Sequence, residues 1–134
     1  PAPALEVEIA LYRAMGCRVS LFMDPVMEQM ATAKVIGADR IEFYTGPYAQ
    51  TYWTHGPSDD RTRDCFAQFC QAAEGALTAG LGINAGHDLD QENLPLFASL
   101  PGLQEVSIGH AIICEALQAG YGPTIQRYVE ILHR

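Results

Sequence analysis

The sequence predicts a parallel α/β fold, and three observations support this prediction. Short apolar runs rich in β-branched and aromatic residues alternate with helical patterns along the chain. Each predicted helix ends near a glycine, and the next strand begins one to three residues later. The turns from strand to helix are longer and chemically richer than the turns from helix to strand. This asymmetry is typical of a (β/α) barrel, where the strand-to-helix loops carry the function.

The first part of the chain is predicted to hold a leading helix and two strand–helix units. The elements are a helix over residues 3–15, a strand over 18–23, a helix over 25–36, a strand over 40–44, a loop over 45–57 and a helix over 58–79. Leu5 and Ile9 lie at helical spacing in the leading helix, and Gly16 ends it. Asp24 is interpreted as the N-cap of the second helix and Pro25 as its first residue.

The second part of the chain is predicted to add two more strands. The elements are a strand over residues 81–84, a helix over 91–100, a strand over 104–108 and helices over 111–119 and 123–132. The long helix before them starts with Asp59 and Asp60, and acidic residues in a first turn complement the helix dipole. Glycines and a proline between Gly120 and Pro123 divide the last two helices.

Four strand–helix units make half of an eight-stranded barrel. A sheet of four parallel strands leaves two edges unpaired and one face uncovered. Three arrangements therefore remain open: a fragment of a longer protein, an association of two copies, or an open sheet. The leading helix has no predicted strand before it, and this favours the fragment, because such a helix normally follows a strand. Residues 1–134 are interpreted as one domain, with no separate second domain.

The composition excludes some classes of partner. The chain has 134 residues and a net charge of −8, with eight Lys and Arg residues against sixteen Asp and Glu residues. Such a balance repels nucleic acid and anionic lipid, so neither is an expected partner. The sequence contains no run of about 18 apolar residues and no basic segment followed by an apolar one, so neither a membrane span nor a signal peptide is expected.

The four cysteines are expected to be reduced thiols of a cytoplasmic protein. Cys17, Cys65, Cys70 and Cys114 form no C-x-x-C pair, and no Cys/His cluster has the spacing of a zinc site. The chain has enough apolar residues to form a core without disulfides. No metal site is therefore predicted.

Two histidines follow predicted strands. His87 lies on a turn after a glycine, and an imidazole there suits general acid–base chemistry, although a solvated loop histidine is an equal alternative. His110 follows Gly109 and opens a helix, whose first N–H groups can bind phosphate, although the pair can also be only a tight turn. Because the carboxyl ends of parallel strands meet at one edge, both histidines are candidates for one site.

Other polar residues carry weaker signals. Glu42 interrupts an apolar strand, and buried acids are rare unless paired, so a functional role is favoured over a structural one. Asn84 either orients a ligand or closes a turn. His55 and Trp53 lie in the loop predicted over 45–57, for which a lid is one interpretation. His133, near the end of the chain, is given no role.

Four motifs follow one another along the chain: Val19-Ser-Leu-Phe-Met-Asp24, Ile41-Glu-Phe-Tyr-Thr-Gly-Pro-Tyr-Ala49, Gly82-Ile-Asn-Ala-Gly-His-Asp-Leu89 and Val106-Ser-Ile-Gly-His-Ala-Ile-Ile113. By these motifs, over about residues 5–132, the sequence resembles the carboxy-terminal half of the pyridoxine 5′-phosphate synthase family. The resemblance implies an eight-stranded (β/α)8 TIM barrel, of which this chain covers about the last four units. It also implies a homo-oligomer, usually an octamer.

The resemblance also implies an activity and its residues. The family joins 1-deoxy-D-xylulose 5-phosphate to 3-amino-2-oxopropyl phosphate and closes the pyridine ring with loss of phosphate and water, without a metal or an organic cofactor. By this resemblance His87 is the proton donor and Glu42 the carboxylate that stabilises the transition state. Gly109 and His110 hold the phosphate of the amino ketone. Asp88 occupies a ligand-contacting position where some members have glycine.

The sequence differs from the family in one respect, because it lacks the family's amino-terminal motifs. The family's amino-terminal motifs supply another histidine, a catalytic glutamate and arginines for the second phosphate, and these 134 residues contain no counterpart. We therefore expect that this chain alone does not complete ring closure. The alternative is a stand-alone half-barrel that binds a phosphorylated metabolite, or pairs with a second chain, without catalysis of its own.

Overall fold

The computed structural model describes residues 2–133, which form four strands and seven helices. In chain order these are α1 (Ala2–Ala14), β1 (Ser20–Met23), α2 (Met27–Val35), β2 (Arg40–Tyr44), α3 (Gly46–His55), α4 (Asp60–Thr78), β3 (Gly82–Gly86), α5 (Leu94–Phe97), β4 (Leu103–Ser107), α6 (His110–Ala119) and α7 (Tyr121–Leu132). The strands lie in the order β1-β2-β3-β4, and every adjacent pair is parallel. The predicted parallel α/β fold is confirmed, and the sheet is consistent with part of a TIM barrel.

The hydrophobic core lies between the helices and one face of this sheet. Alternate residues of a strand point to the same face, and Ile41, Phe43 and Ile83 are fully buried on the helix-covered side. The ring of Phe43 meets that of Phe69 from α4 edge-on, with centroids 5.7 Å apart. The ring of Tyr48 from α3 lies 5.0 Å from that of Phe97. Aromatic packing therefore fixes α3, α4 and α5 against β2 and β3.

The opposite face of the sheet is polar and partly exposed. Phe22 on this face is 60% exposed, whereas Glu42 is half-buried. Asn84, interpreted as a ligand-orienting or turn residue, lies inside β3, where its amide oxygen accepts a hydrogen bond of 2.9 Å from Nε of Arg40. The guanidinium of Arg40 also lies 3.6 Å from Glu105 on β4. Asn84 therefore links neighbouring strands and closes no turn.

The segment predicted as a loop over 45–57 is helical, so that prediction is wrong. Its glycine and proline occupy the first turn of α3, where a missing N–H and a fixed φ do not disturb a helix. Tyr48 is fully buried in this helix, and its hydroxyl donates to the carbonyl of Asn93 at 2.8 Å. Tertiary packing therefore decides the conformation of a segment whose composition is typical of a loop. His55 and Trp53 consequently lie on a helix.

The predicted cap of the second helix is also wrong. Helix α2 begins at Met27, and Val26 occupies its N-cap position without a side-chain hydrogen bond. Asp24 and Pro25 form a turn before the helix, in which the carbonyl of Asp24 accepts from the N–H of Val26 at 2.8 Å. A side chain that precedes a helix by three residues is too far from its first free N–H groups to cap them.

Helix α4 has the acidic cap that α2 lacks. Asp59 occupies the N-cap position, and its carboxylate accepts from the backbone N–H of Arg61 at 2.9 Å. The guanidinium of Arg61 donates to the same carboxylate, also at 2.9 Å. Both bonds hold the pKa of Asp59 well below its ordinary value, and the bond from the guanidinium has the larger effect.

Several element bounds differ slightly from the predicted ones. Strand β3 continues two residues further, to Gly86, and α7 starts at Tyr121 instead of residue 123. The helix predicted over 91–100 is reduced to the single turn of α5. In α1, Ile9 is buried against Gly37, whereas Leu5 from the same predicted stripe is exposed.

The four cysteines form no disulfide within residues 2–133. Cys17 and Cys114 are exposed, whereas burial raises the pKa of the Cys65 and Cys70 thiols on α4. Across the same residues, no helix combines the length and the apolarity that a membrane span needs.

Alkaline pH is expected to destabilise the fold partly through Tyr48. Burial raises the pKa of Tyr48, so the folded state keeps its phenol proton more strongly than the unfolded chain does. The resulting stabilisation is complete below the unfolded pKa of about 10 and is lost as pH rises above it. The free energy of unfolding, measured with urea at pH 8 and pH 11, should fall less in Tyr48→Phe than in the wild type.

The same variant should lose about 1 kcal/mol at pH 8, because it removes the hydrogen bond to Asn93. The exposed Tyr12 offers a matched control, since Tyr12→Phe should change neither quantity. Burial also raises the pKa of Tyr128, so part of the alkaline sensitivity should remain in Tyr48→Phe. Equal losses in the wild type and in Tyr48→Phe would contradict the prediction.

Candidate functional site

The carboxyl ends of β2, β3 and β4 converge on one cavity of about 710 Å³. Ligands of parallel α/β proteins bind at this end of the sheet. The first turns of α3 and α6 complete the wall. Residues that line the cavity include Tyr44, His87, Asp88, Ser107, Gly109 and His110. Four of the five predicted site residues therefore share this cavity.

His87 lies on a strained turn. It follows Gly86, the last residue of β3, and has a φ of 94°. Asp88, the next residue, has a φ of 58°, so two consecutive non-glycine residues occupy the left-handed region. Such conformations cost energy and persist only where the surrounding structure imposes them, typically at functional sites.

Two buried side chains hold this turn. The hydroxyl of Thr45 donates to the carbonyl of Gly86, 2.8 Å away, and also lies within hydrogen-bond reach of the carbonyl of His87. The amide nitrogen of Asn93 donates to the carbonyl of Asp88 at 3.0 Å. Both Thr45 and Asn93 are fully buried. Two buried side chains therefore reach three successive carbonyls of the strained turn, the first two of which share the single hydroxyl proton of Thr45, and we call Thr45 and Asn93 the backbone clamp.

The imidazole of His87 is held on two sides. Its Nδ1 lies 2.8 Å from a carboxylate oxygen of Asp88. Its ring meets the ring of Tyr44 edge-on, with centroids 4.8 Å apart and planes at 80°. The His87 side chain is still 51% exposed, so it is oriented and yet accessible from the cavity.

The carboxylate of Glu42 lies next to Gly86, the residue that precedes the strained turn. Glu42 lies on β2, in register with Asn84, on the polar face of the sheet. A Cβ atom added to Gly86 would lie 2.6 Å from the Glu42 carboxylate, so the two residues approach closely. Glu42 is not among the residues that line the cavity, unlike the other predicted site residues. The structure therefore places its carboxylate beside Gly86 and outside the cavity lining.

The start of α6 forms another part of the cavity wall. Gly109 occupies its N-cap position, and His110 is its first residue. No side chain caps this end, so its first N–H groups lack a side-chain acceptor. Nε2 of His110 lies 3.5 Å from the thiol of Cys114, one turn further along the helix. An uncapped helix start on a cavity wall is suited to bind an anionic group.

Not every residue singled out in the sequence reaches the site. His55 and His133 do not line the cavity, whereas Trp53 does, and its indole N–H donates to Asp90 at 3.1 Å. Asp24 lines a separate groove beside β1. Within residues 2–133, no group of three or more His, Cys, Asp or Glu side chains is arranged to hold a metal ion.

The backbone clamp was missed by sequence reasoning. A threonine directly after a strand and an asparagine near a short helix have ordinary explanations as turn and cap residues. The one available signal was the position of Thr45 in the sequence. It directly follows β2, and Gly86 is the last residue of β3, so both lie at the carboxyl ends of neighbouring strands. Their roles depend on partners five to 42 residues away in the chain.

Comparison with known proteins identifies related sequences. Residues 2–134 match the family described as pyridoxal phosphate biosynthesis protein PdxJ. The chain is 51% identical over 125 residues to the pyridoxine 5'-phosphate synthase of Xanthomonas campestris pv. campestris (strain B100), covering 92% of this chain and 47% of that protein. It is 46% identical over 132 residues to the pyridoxine 5'-phosphate synthase of Albidiferax ferrireducens, covering 98% of this chain and 50% of that protein. The chain spans about half the length of these curated relatives.

Proposed function

Because the chain belongs to the PdxJ family of pyridoxal phosphate biosynthesis proteins, we propose that it provides part of a pyridoxine 5′-phosphate synthase. The observation that carries this proposal is the position of His87, held on a strained turn that lines the same cavity as an uncapped helix start. An acid–base group and an anion-binding end are the two elements that condensation of phosphorylated substrates requires.

The proposed reaction joins 1-deoxy-D-xylulose 5-phosphate to 3-amino-2-oxopropyl phosphate. Ring closure releases phosphate and water, and each released water needs a proton on a departing hydroxyl. In its imidazolium form, His87 supplies such protons from Nε2 and is left as the neutral imidazole with its proton on Nδ1, beside Asp88. Glu42 stabilises positive charge that develops as nitrogen attacks the carbonyl, since a carboxylate beside Gly86, the residue before His87, favours a nearby cation.

The phosphate of the amino ketone binds at the start of α6. The N–H groups of Gly109 and His110 donate to its oxygens, and the helix dipole adds a favourable field. Asp88 contacts substrate through its backbone, since its side chain is turned to His87. The partners are thus phosphorylated small molecules, and the chemistry uses side chains without a metal or organic cofactor.

We further propose that residues 1–134 are one domain that supplies the last four units of a (β/α)8 TIM barrel. Strands β1 and β4 are the edges of the described sheet, and Phe22 on its polar face is 60% exposed. Four further units would pair both edges and cover this face. The assembled protein is expected to be a cytoplasmic homo-oligomer, an octamer as in the family.

The proposal is tested by assaying pyridoxine 5′-phosphate formation from the two substrates. The amino-terminal half of the Xanthomonas campestris relative is joined to this chain, and the fusion is compared with the 134-residue chain alone. The fusion should form product, whereas the chain alone should not. A folded fusion without product would overturn the proposal, and it would favour a half-barrel that only binds a phosphorylated metabolite.

A further inference from the structure

We infer that Asp88 is a positioning residue, whose carboxylate fixes the tautomer of the His87 imidazole. A carboxylate oxygen of Asp88 lies 2.8 Å from Nδ1 of His87, where a negative charge favours a proton on Nδ1 over a lone pair, and this leaves Nε2 as the nitrogen that exchanges a proton with a ligand in the cavity. The consequence for catalysis rests on the function proposed above, whereas the contact between the two side chains does not.

The contact depends on an unusual backbone. In an extended strand, successive side chains point to opposite faces, so neighbouring residues do not touch. Here both His87 and Asp88 have positive φ, and the turn brings their side chains to the same side. Asp is one of the few non-glycine residues that tolerates the left-handed region. Aspartate at position 88 therefore tolerates the positive φ and also places a carboxylate next to Nδ1 of His87.

The backbone clamp maintains this geometry. Thr45 and Asn93 are buried and donate to the carbonyls of the turn, so the positive φ values cannot relax without breaking their hydrogen bonds. Both side chains in the His87–Asp88 pair are more than half exposed, and exposed ion pairs are individually weak. The orientation of the imidazole consequently depends on the rigid turn that holds the pair together, more than on the charge.

Other groups near His87 do not offer the same contact. The carboxylate of Asp90 accepts hydrogen bonds from two backbone N–H groups and from Trp53. Glu42 lies beside Gly86, and His110 lines the cavity from the first turn of α6. Tyr44 meets His87 through its ring. Within residues 2–133, Asp88 is the acid whose carboxylate lies within hydrogen-bond distance of the imidazole.

The test measures the tautomer of His87 directly in the 134-residue chain. The chain is labelled with ¹⁵N-histidine, and long-range ¹H–¹⁵N correlation spectra are recorded at about pH 9, above the ordinary titration range of histidine. His87→Asn identifies its signals among the four histidines. Wild-type His87 should carry its proton on Nδ1.

Two variants separate the carboxylate from the backbone. Asp88→Asn keeps an oxygen acceptor and tolerates the left-handed region, so it should retain the Nδ1–H tautomer. Asp88→Gly keeps the backbone freedom and removes the acceptor, so His87 should change to mainly Nε2–H. The signals of His110 should be the same in all three proteins and serve as an internal control.

An unchanged tautomer in Asp88→Gly would overturn the inference, whether or not the enzyme assay detects product. In the fusion described above, Asp88→Gly should lower kcat roughly tenfold with little change in KM, and Asp88→Asn should restore most of it. A rise in KM with an unchanged tautomer would mean that the carboxylate contacts substrate instead, and would also overturn the inference. Absence of product from the wild-type fusion would reject the proposed function and leave the spectroscopic result decisive for Asp88.

Discussion

Replacing His87 with asparagine should lower kcat of the fusion enzyme by about 10²- to 10⁴-fold, the usual contribution of a general acid or base. Asparagine tolerates a positive φ, so it leaves the strained turn in place and removes the group that carries protons. KM should change little, because the helix start that we propose to bind phosphate is untouched. Steady-state rates of pyridoxine 5′-phosphate formation measure both constants.

His133 provides the matched control for this variant. It is exposed and does not line the cavity, so His133→Asn should leave kcat within a factor of two of the wild type. Urea unfolding of His87→Asn should differ from wild type by less than about 0.5 kcal/mol, as for most exposed positions. A kcat near that of the wild type in His87→Asn would show that the proton donor is another residue.

Replacing Gly86 with alanine should destabilise the chain by about 1–3 kcal/mol, as overpacking of a filled site does. The added Cβ would lie 2.6 Å from the Glu42 carboxylate, 3.0 Å from Cβ of Ser107 and 3.1 Å from its carbonyl oxygen. The carboxylate can move, but the backbone of β4 cannot give way without disturbing the sheet. The free energy of unfolding in urea measures the effect.

Gly122 offers the opposite outcome in the same experiment. It lies in the first turn of α7 with no heavy atom within 4 Å of an added Cβ, and its φ is not positive. Gly122→Ala should therefore be neutral or stabilise the chain by up to about 1 kcal/mol. Equal stabilities of the two alanine variants would contradict the close packing inferred around Gly86.

The Gly86→Ala variant also separates the effect of close packing on stability from the effect of the Glu42 position on activity. The new methyl group displaces Glu42, so the fusion enzyme should lose activity even under conditions where it remains folded. Circular dichroism at the assay temperature would establish the folded fraction. Full activity in a folded Gly86→Ala fusion would mean that the position of Glu42 is unimportant.

Much of the architecture follows from local sequence signals. Short apolar runs that begin one to three residues after a helix-ending glycine predicted all four strands, because a buried parallel strand must be apolar and the preceding helix must stop before it. The Gly-His pairs at positions 87 and 110 pointed to one cavity for the same reason, since the carboxyl ends of parallel strands share an edge.

Local signals failed where packing or a competing residue decided the outcome. The glycine and proline at the start of α3 resemble loop residues, but burial of Tyr48 against Phe97 stabilises a helix there. Asp24 has the chemistry of an N-cap, but α2 begins three residues later. In both places the residue type is compatible with more than one local structure, and the packing of the surrounding chain decides which one forms.

The sequence by itself determined the parallel α/β class, the family and the residue types of the site. Only the tertiary structure decided how that site is held. The hydroxyl of Thr45 meets a carbonyl 41 residues away, and Asn93 secures the carbonyl of Asp88 from a buried position. These bonds hold positive φ at His87 and Asp88, a conformation that both residue types tolerate but seldom adopt without such support. Local propensity therefore permits the strained turn, and the long-range partners select it.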